Sequence, residues 1–117
     1  MASTRKDPSA DDLKGRALSL AGLVAYQDGA VVSREIVSRK AGTVTAFAFA
    51  KGEQLSEHTA PYDALVVDLE GQADIVIGGR SSRLKAGQMI IMPAGAPHAL
   101  KAVTRFKMLL VMIKKNP

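Results

Sequence analysis

From Asp28-Gly29 onward the chain is a succession of short runs, β-branched or alternating between apolar and polar, with glycine or proline at nearly every junction. Side chains on a strand point alternately to opposite faces, so such runs describe strands with one buried face, and the punctuation describes tight turns between them. Residues 31–38 and 43–50 form the first two runs, with Ala41-Gly42 as the turn between them. Residues 64–70 carry Leu65, Val67 and Leu69 on one parity, and Gly71-Gln72 turns that run into Ala73, Ile75 and Ile77, which alternate with Asp74 and Val76. Gly78-Gly79 is a two-residue hairpin leading into residues 80–85, and Lys85-Ala86-Gly87 turns again into residues 89–92. Residues 106–113 are almost wholly apolar, the pattern of a strand covered on both faces or held in a subunit contact. Eight or more such strands at close intervals predict an all-β sandwich or barrel.

The region before Asp28 reads differently. Ser9 followed by Asp12 resembles a helix N-cap with its returning acid, and Leu13, Ala17, Leu20, Ala21 and Val24 then fall at helical spacing. Gly15 and Gly22 limit that segment to a short helix. The expected organisation is a tail and short helix over 1–27 and one barrel domain over 28–115, within the span that a single core of 117 residues allows. With aromatics at 4% and hydrophobic residues at 47%, that core must be built largely from Val, Ile, Leu, Met and Ala. The absence of cysteine excludes disulfides and thiolate metal sites. A net charge of +5 is spread among acids rather than gathered on one face, so no nucleic-acid partner is expected. No apolar run approaches the roughly 18 residues of a membrane span. The apolar stretch 17–25 follows Lys14 and Arg16 but also Asp7, Asp11 and Asp12, unlike a secretory leader, and an uncleaved, cytoplasmic chain is expected.

The sequence contains two histidines, His58 and His98. Each follows a glycine-led turn and borders an apolar run. In extended chain His58, Ala60, Tyr62 and Ala64 share one face, as do His98, Leu100 and Ala102; Pro61 is where the first of these parities can shift. The predicted pocket has His58, Tyr62, Met92, His98 and Leu100 in its wall, an apolar lining with few polar groups, as small-molecule sites have. The competing reading makes each histidine structural, with one ring nitrogen bonded to backbone. Tyr62 serves equally as a packing residue. Met89, Met92, Met108 and Met112 are core filler by default, and Phe47 and Phe49 share a parity as core.

These residues carry a resemblance. Gly52, five residues, His58 and a closing Gly71 resemble the first cupin motif, Gly-x5-His-x-His-x3–4-Glu-x6-Gly. Gly87-x5-Pro93-x-Gly95-x2-His98 resembles the second, Gly-x5-Pro-x-Gly-x2-His-x3-Asn. The likeness spans about residues 42–113, and the stretches 56–66 and 105–110 are similar to small stand-alone bacterial cupins (cupin type 2) of unassigned function. It implies a double-stranded β-helix, the cupin jelly-roll barrel, with both histidines facing inward, a small-molecule ligand and a homodimer. The family includes metal-dependent dioxygenases, isomerases and lyases, in which three histidines and a glutamate hold Mn, Fe, Ni or Zn. Matched position by position, the chain keeps His58 and His98, has Ala60 and Ala64 at the other two ligand positions, and has Ala102 for the closing asparagine. Asp63 replaces the missing acid only if Pro61 rotates the strand, and Glu57 lies on the opposite parity. The expectation is therefore a single-domain cupin that binds a small organic ligand and has a degenerate two-histidine metal site; a bound metal, and with it a metal-dependent enzyme, is the less favoured alternative.

Overall fold

A computed structural model describes residues 13–114. Its strands are β1 Val31–Arg39, β2 Gly42–Phe49, β3 Gln54–His58, β4 Asp63–Glu70, β5 Gln72–Ile77, β6 Arg80–Lys85, β7 Met89–Met92, β8 His98–Ala102 and β9 Phe106–Ile113. They form two antiparallel sheets, ordered β1-β2-β9-β4-β7 and β3-β8-β5-β6. After β2 the chain crosses from one sheet to the other at every connection except the β5–β6 hairpin. The product is the all-β jelly roll, two sheets closing on one interior.

Period-two alternation explains which residues fill it. Phe47 and Phe49 on β2, Phe106 and Met108 on β9, Ala64 and Val66 on β4, Ile75 on β5 and Leu100 on β8 make up the inner faces and pack as one core. Phe49 stacks between Phe47 and Phe106, with ring centroids 5.9 and 5.6 Å away. All three phenylalanines are thus spent on one column, and burying each such ring contributes about 2–3 kcal/mol. On β4 the apolar parity Leu65 and Val67 is half-buried, while Ala64, Val66 and Asp68 are the buried set. Met89 is 57% exposed and is not core, unlike Met92 and Met108.

The expected N-terminal helix is corrected by the structure. Its capping residues, Ser9 and Asp12, lie outside the described residues; from Leu13 on the regular helix is a single 3-10 turn at Ala21–Leu23. Gly15 takes a positive φ of 70°. The Ala21 carbonyl accepts from Lys107 Nζ at 2.7 Å and the Leu23 carbonyl from an Arg34 guanidinium nitrogen at 3.0 Å. Those carbonyls thereby serve as acceptors for the sheet. Val24 and Tyr26 pack on the outward methyls of Ala46 and Ala48, and Tyr26 donates its hydroxyl to Glu70 Oε1 at 2.6 Å. Burial first, and then that carboxylate, raise the phenol's pKa well above its ordinary value. The segment is a strap across the five-stranded sheet.

Candidate functional site

Three hydrogen bonds shape one end of the barrel. The strand over 54–58 ends at His58, and after a short bend β4 begins in the opposite sheet at Asp63. Gly95, with φ at +79°, donates its N–H to the Ala60 carbonyl at 2.8 Å, and Ala94 N–H donates to Asp63 Oδ1 at 2.8 Å. Gly78 N–H donates to the Pro97 carbonyl at 2.8 Å. The 93–97 loop is thus pinned to both sheets, and His98 follows it as the first residue of β8, opposite His58 in the register.

The imidazoles meet. Their Nε2 atoms are 3.1 Å apart, and the rings sit edge to face at 73° with centroids 4.3 Å apart. Each Nδ1 is tied to a carbonyl two residues back, His58 to Ser56 at 2.8 Å and His98 to Ala96 at 3.1 Å. A carbonyl only accepts, so both Nδ1 atoms carry their hydrogens, and both Nε2 atoms turn lone pairs to the same point. Two bare nitrogens at that distance repel; a proton or another electrophile between them makes the approach favourable. His98 is 5% exposed, whereas His58 stands open to solvent.

The pair borders a cavity of about 440 Å³, lined by Phe47, Leu55, His58, Ala60, Tyr62, Ala64, Met92, His98, Ala99, Leu100, Met108, Leu110, Met112 and Lys114. Every residue of the predicted pocket wall is among them. His58, Ala60, Tyr62 and Ala64 all face the cavity although Thr59–Tyr62 is a bend between two sheets and not one extended strand. The sequence reading does not reach four of the lining residues, Leu55, Ala99, Leu110 and Lys114. Leu55 sits in a strand too polar to show alternation, and Lys114 continues the inward parity of Met108, Leu110 and Met112 by one more step, a signal that was present in the sequence. The Lys114 ammonium lies 6.0 Å from the centroid of the Tyr62 ring.

The metal that the resemblance implies can be tested against these donors. Two nitrogens 3.1 Å apart suit a common ion at about 2.0–2.1 Å with an angle near 100°. Backbone carbonyls on both Nδ1 atoms are also the usual orienting contacts of metal-bound histidine. The donor count does not fit. Ala60 and Ala64 put methyl groups into the cavity where ligands would stand, Asp63 is spent on the Ala94 amide, and no group of three metal-ligating side chains exists among the described residues. The cavity offers half a ligand set.

Comparison with known proteins gives the fold its relatives. The chain is similar to a conserved protein of unknown function from Streptococcus pyogenes, at 36% identity over 99% of this chain and 98% of that one, with a TM-score of 0.85. A cupin superfamily protein from Desulfitobacterium hafniense aligns at 27% identity over 97% and 100% of the two chains, with a TM-score of 0.83. A Cupin 2 conserved barrel domain protein from Leptotrichia buccalis is 39% identical over 83% of this chain and 47% of its own length, with a TM-score of 0.80. No curated protein matches. The sequence model of the Cupin domain matches residues 46–114, which takes in both histidines and all fourteen lining residues, and the chain belongs to the cupin family.

Proposed function

We propose that this cupin is a binding module whose barrel takes a small organic guest, with His58 and His98 as its polar handles. The observation that carries this reading is the cavity itself: about 440 Å³ of largely apolar space, with two imidazoles at its border and methyl groups at two ligand positions of the family pattern. Alanine at those positions leaves room for a guest and removes coordination. At the roughly 30 Å³ that a water-sized group occupies in a liquid, the space holds at most about 15 non-hydrogen atoms. Thermal-shift titration with a panel of small acids, alcohols and sugars tests it, because a guest of the native state alone raises the melting temperature. A stabilising guest should lose its effect in His58→Ala, whose side chain is exposed and whose removal should cost the bare fold less than about 1 kcal/mol. A panel that shifts nothing, or shifts both proteins equally, would count against the pocket.

The facing Nε2 atoms support a second reading, a metal-dependent enzyme of the dioxygenase, isomerase or lyase kind. It stands behind the first because two of four protein ligands are methyl groups. Elemental analysis of protein purified without chelator or affinity tag separates them: the enzyme reading requires a stoichiometric transition ion, and the first reading expects none.

We also propose a homodimer formed through the outer face of the five-stranded sheet. In register, Ile91, Leu65, Val111, Val44 and Val37 make an apolar row across all five strands. Met89, Val67 and Leu109 make a second row beside it. Five strands at about 4.8 Å spacing make this face roughly 20 Å across. Ile91 is 51% and Ile113 59% exposed, and a continuous apolar face of that size fits a second copy of itself related by a two-fold axis.

A further inference from the structure

The strand register sorts the cavity lining by depth. β9 runs inward from Lys114 through Met112 and Leu110 to Met108, while β4 runs inward from its first residues at the same level, since Asp63 pairs with Ile113 and Ala64 with Met112. His98 opens β8 and Leu100 lies below it, paired with Leu55 of β3. The polar atoms of the lining therefore gather at the mouth: Nε2 of His58 and of His98, the Tyr62 hydroxyl and the Lys114 ammonium. The deeper wall, Phe47, Leu55, Leu100, Met108 and Leu110, contributes hydrocarbon and thioether only.

No carboxylate belongs to this lining. Glu57 and Asp63, each next in sequence to a lining residue, stand outside that lining; Asp63 directs an oxygen to the Ala94 amide, and Lys114 makes no ion pair among the described residues, its ammonium standing over the face of the Tyr62 ring. The lining therefore offers no carboxylate to a cationic guest and one full positive charge to an anionic one. Hydroxyl and ammonium groups here are also hydrogen-bond donors, so the group they match is an acceptor.

Resting on the binding reading above, we propose that the guest is a compact monocarboxylate with an apolar body, seated body-first, its carboxylate held at the mouth by Lys114 with the Tyr62 hydroxyl beside it. Lys114 is then the residue that selects anionic guests over neutral and cationic ones of the same shape. Selection comes from a charge-assisted hydrogen bond at the border of an apolar cavity, where water competes less than on an open surface.

Isothermal titration of the full chain with three eight-carbon probes, octanoate, 1-octanol and octylamine, tests this. The wild type should bind octanoate at least about ten-fold more tightly than octanol, and show no saturable binding of octylamine. Lys114→Met should erase the preference for octanoate while leaving the octanol affinity within about three-fold. Lys114→Glu should turn the preference toward octylamine. Equal binding of octanoate and octanol by the wild type, or an octanoate preference that survives both substitutions, overturns the anion assignment and leaves the barrel's role as a binding site intact. Failure of all three probes together overturns the assignment along with the apolar-guest reading beneath it.

Discussion

At the scale of single residues, three side chains at two places are set against their ordinary chemistry. The Nε2 atoms of His58 and His98 face one another because each Nδ1 is committed to a carbonyl, and that commitment comes from the local backbone two residues upstream. Asp68 is the other. It is 2% exposed, and no hydrogen bond of ordinary geometry reaches either carboxyl oxygen. Burial pushes its pKa up from 3.8 to about 7, with the Glu70 amide pulling it part of the way back and the Glu70 charge pushing it further. The native protein then keeps a proton that the unfolded chain releases, so this contribution to stability is complete below about pH 4 and is lost as pH rises toward 7. Urea denaturation should show wild-type stability falling by on the order of 1–3 kcal/mol between pH 5 and pH 8. Asp68→Asn, neutral at every pH, should flatten that profile and exceed the wild type at pH 8. A wild-type profile without slope would show that the carboxyl is solvated.

At the scale of elements, turns and the strap do most to position the barrel. Gly71, between β4 and β5, has a φ of +81°, and a methyl group there would run into the Arg105 carbonyl oxygen. Gly71→Ala should therefore destabilise by at least about 2 kcal/mol, read by thermal or urea melts, whereas Gly87→Ala, with the same sign of φ and open space around it, should cost less. The strap makes a separate case. Tyr26 bonds Glu70 at 2.6 Å and lies under the Arg105 guanidinium at 4.0 Å from its ring centre. Tyr26→Phe should cost about 0.5–1.5 kcal/mol, the worth of one part-buried hydrogen bond, and faster hydrogen exchange should be confined to the segment 21–26 and its partners on β2 and β9. Exchange spreading through the whole barrel would mean that the strap is part of the global fold.

At the scale of the whole molecule, the proposed dimer rests on the apolar outer face. Ile91→Lys and Val111→Glu place charges in the same cross-strand row on strands separated by β4. Light scattering after size exclusion should give twice the chain mass for the wild type and the chain mass for the double variant. A wild type of single-chain mass at micromolar concentration would leave the face without its proposed partner. The two sides of the five-stranded sheet thus differ: the inner one lines the cavity, and the outer one carries the strap over β2 and, beside it, the apolar rows proposed to meet a second copy.

Much of this was legible without coordinates, and the reason is period and spacing. The runs at 64–70, 80–85, 89–92 and 106–113 coincide with β4, β6, β7 and β9 because alternation and glycine turns are local signals. The cupin resemblance implied two inward-facing histidines, and in the register His58 and His98 lie opposite each other. What local pattern lacks is information about neighbours in space. β3 carries one half-buried residue, Leu55, among polar ones, and becomes a strand because β8 lies beside it. The helical spacing over 13–24 did not produce a helix: Gly15 takes a positive φ, and Lys107 and Arg34 hold the carbonyls of Ala21 and Leu23 to the sheet, contacts visible only once that sheet is folded. The sequence by itself determined most of the strands, their turns and the parity that carries Lys114 inward; tertiary structure alone decided that β3 pairs with β8, that Lys114 borders the cavity of the two histidines and that Asp68 is shut away from water, because these facts depend on which strands close around a common interior.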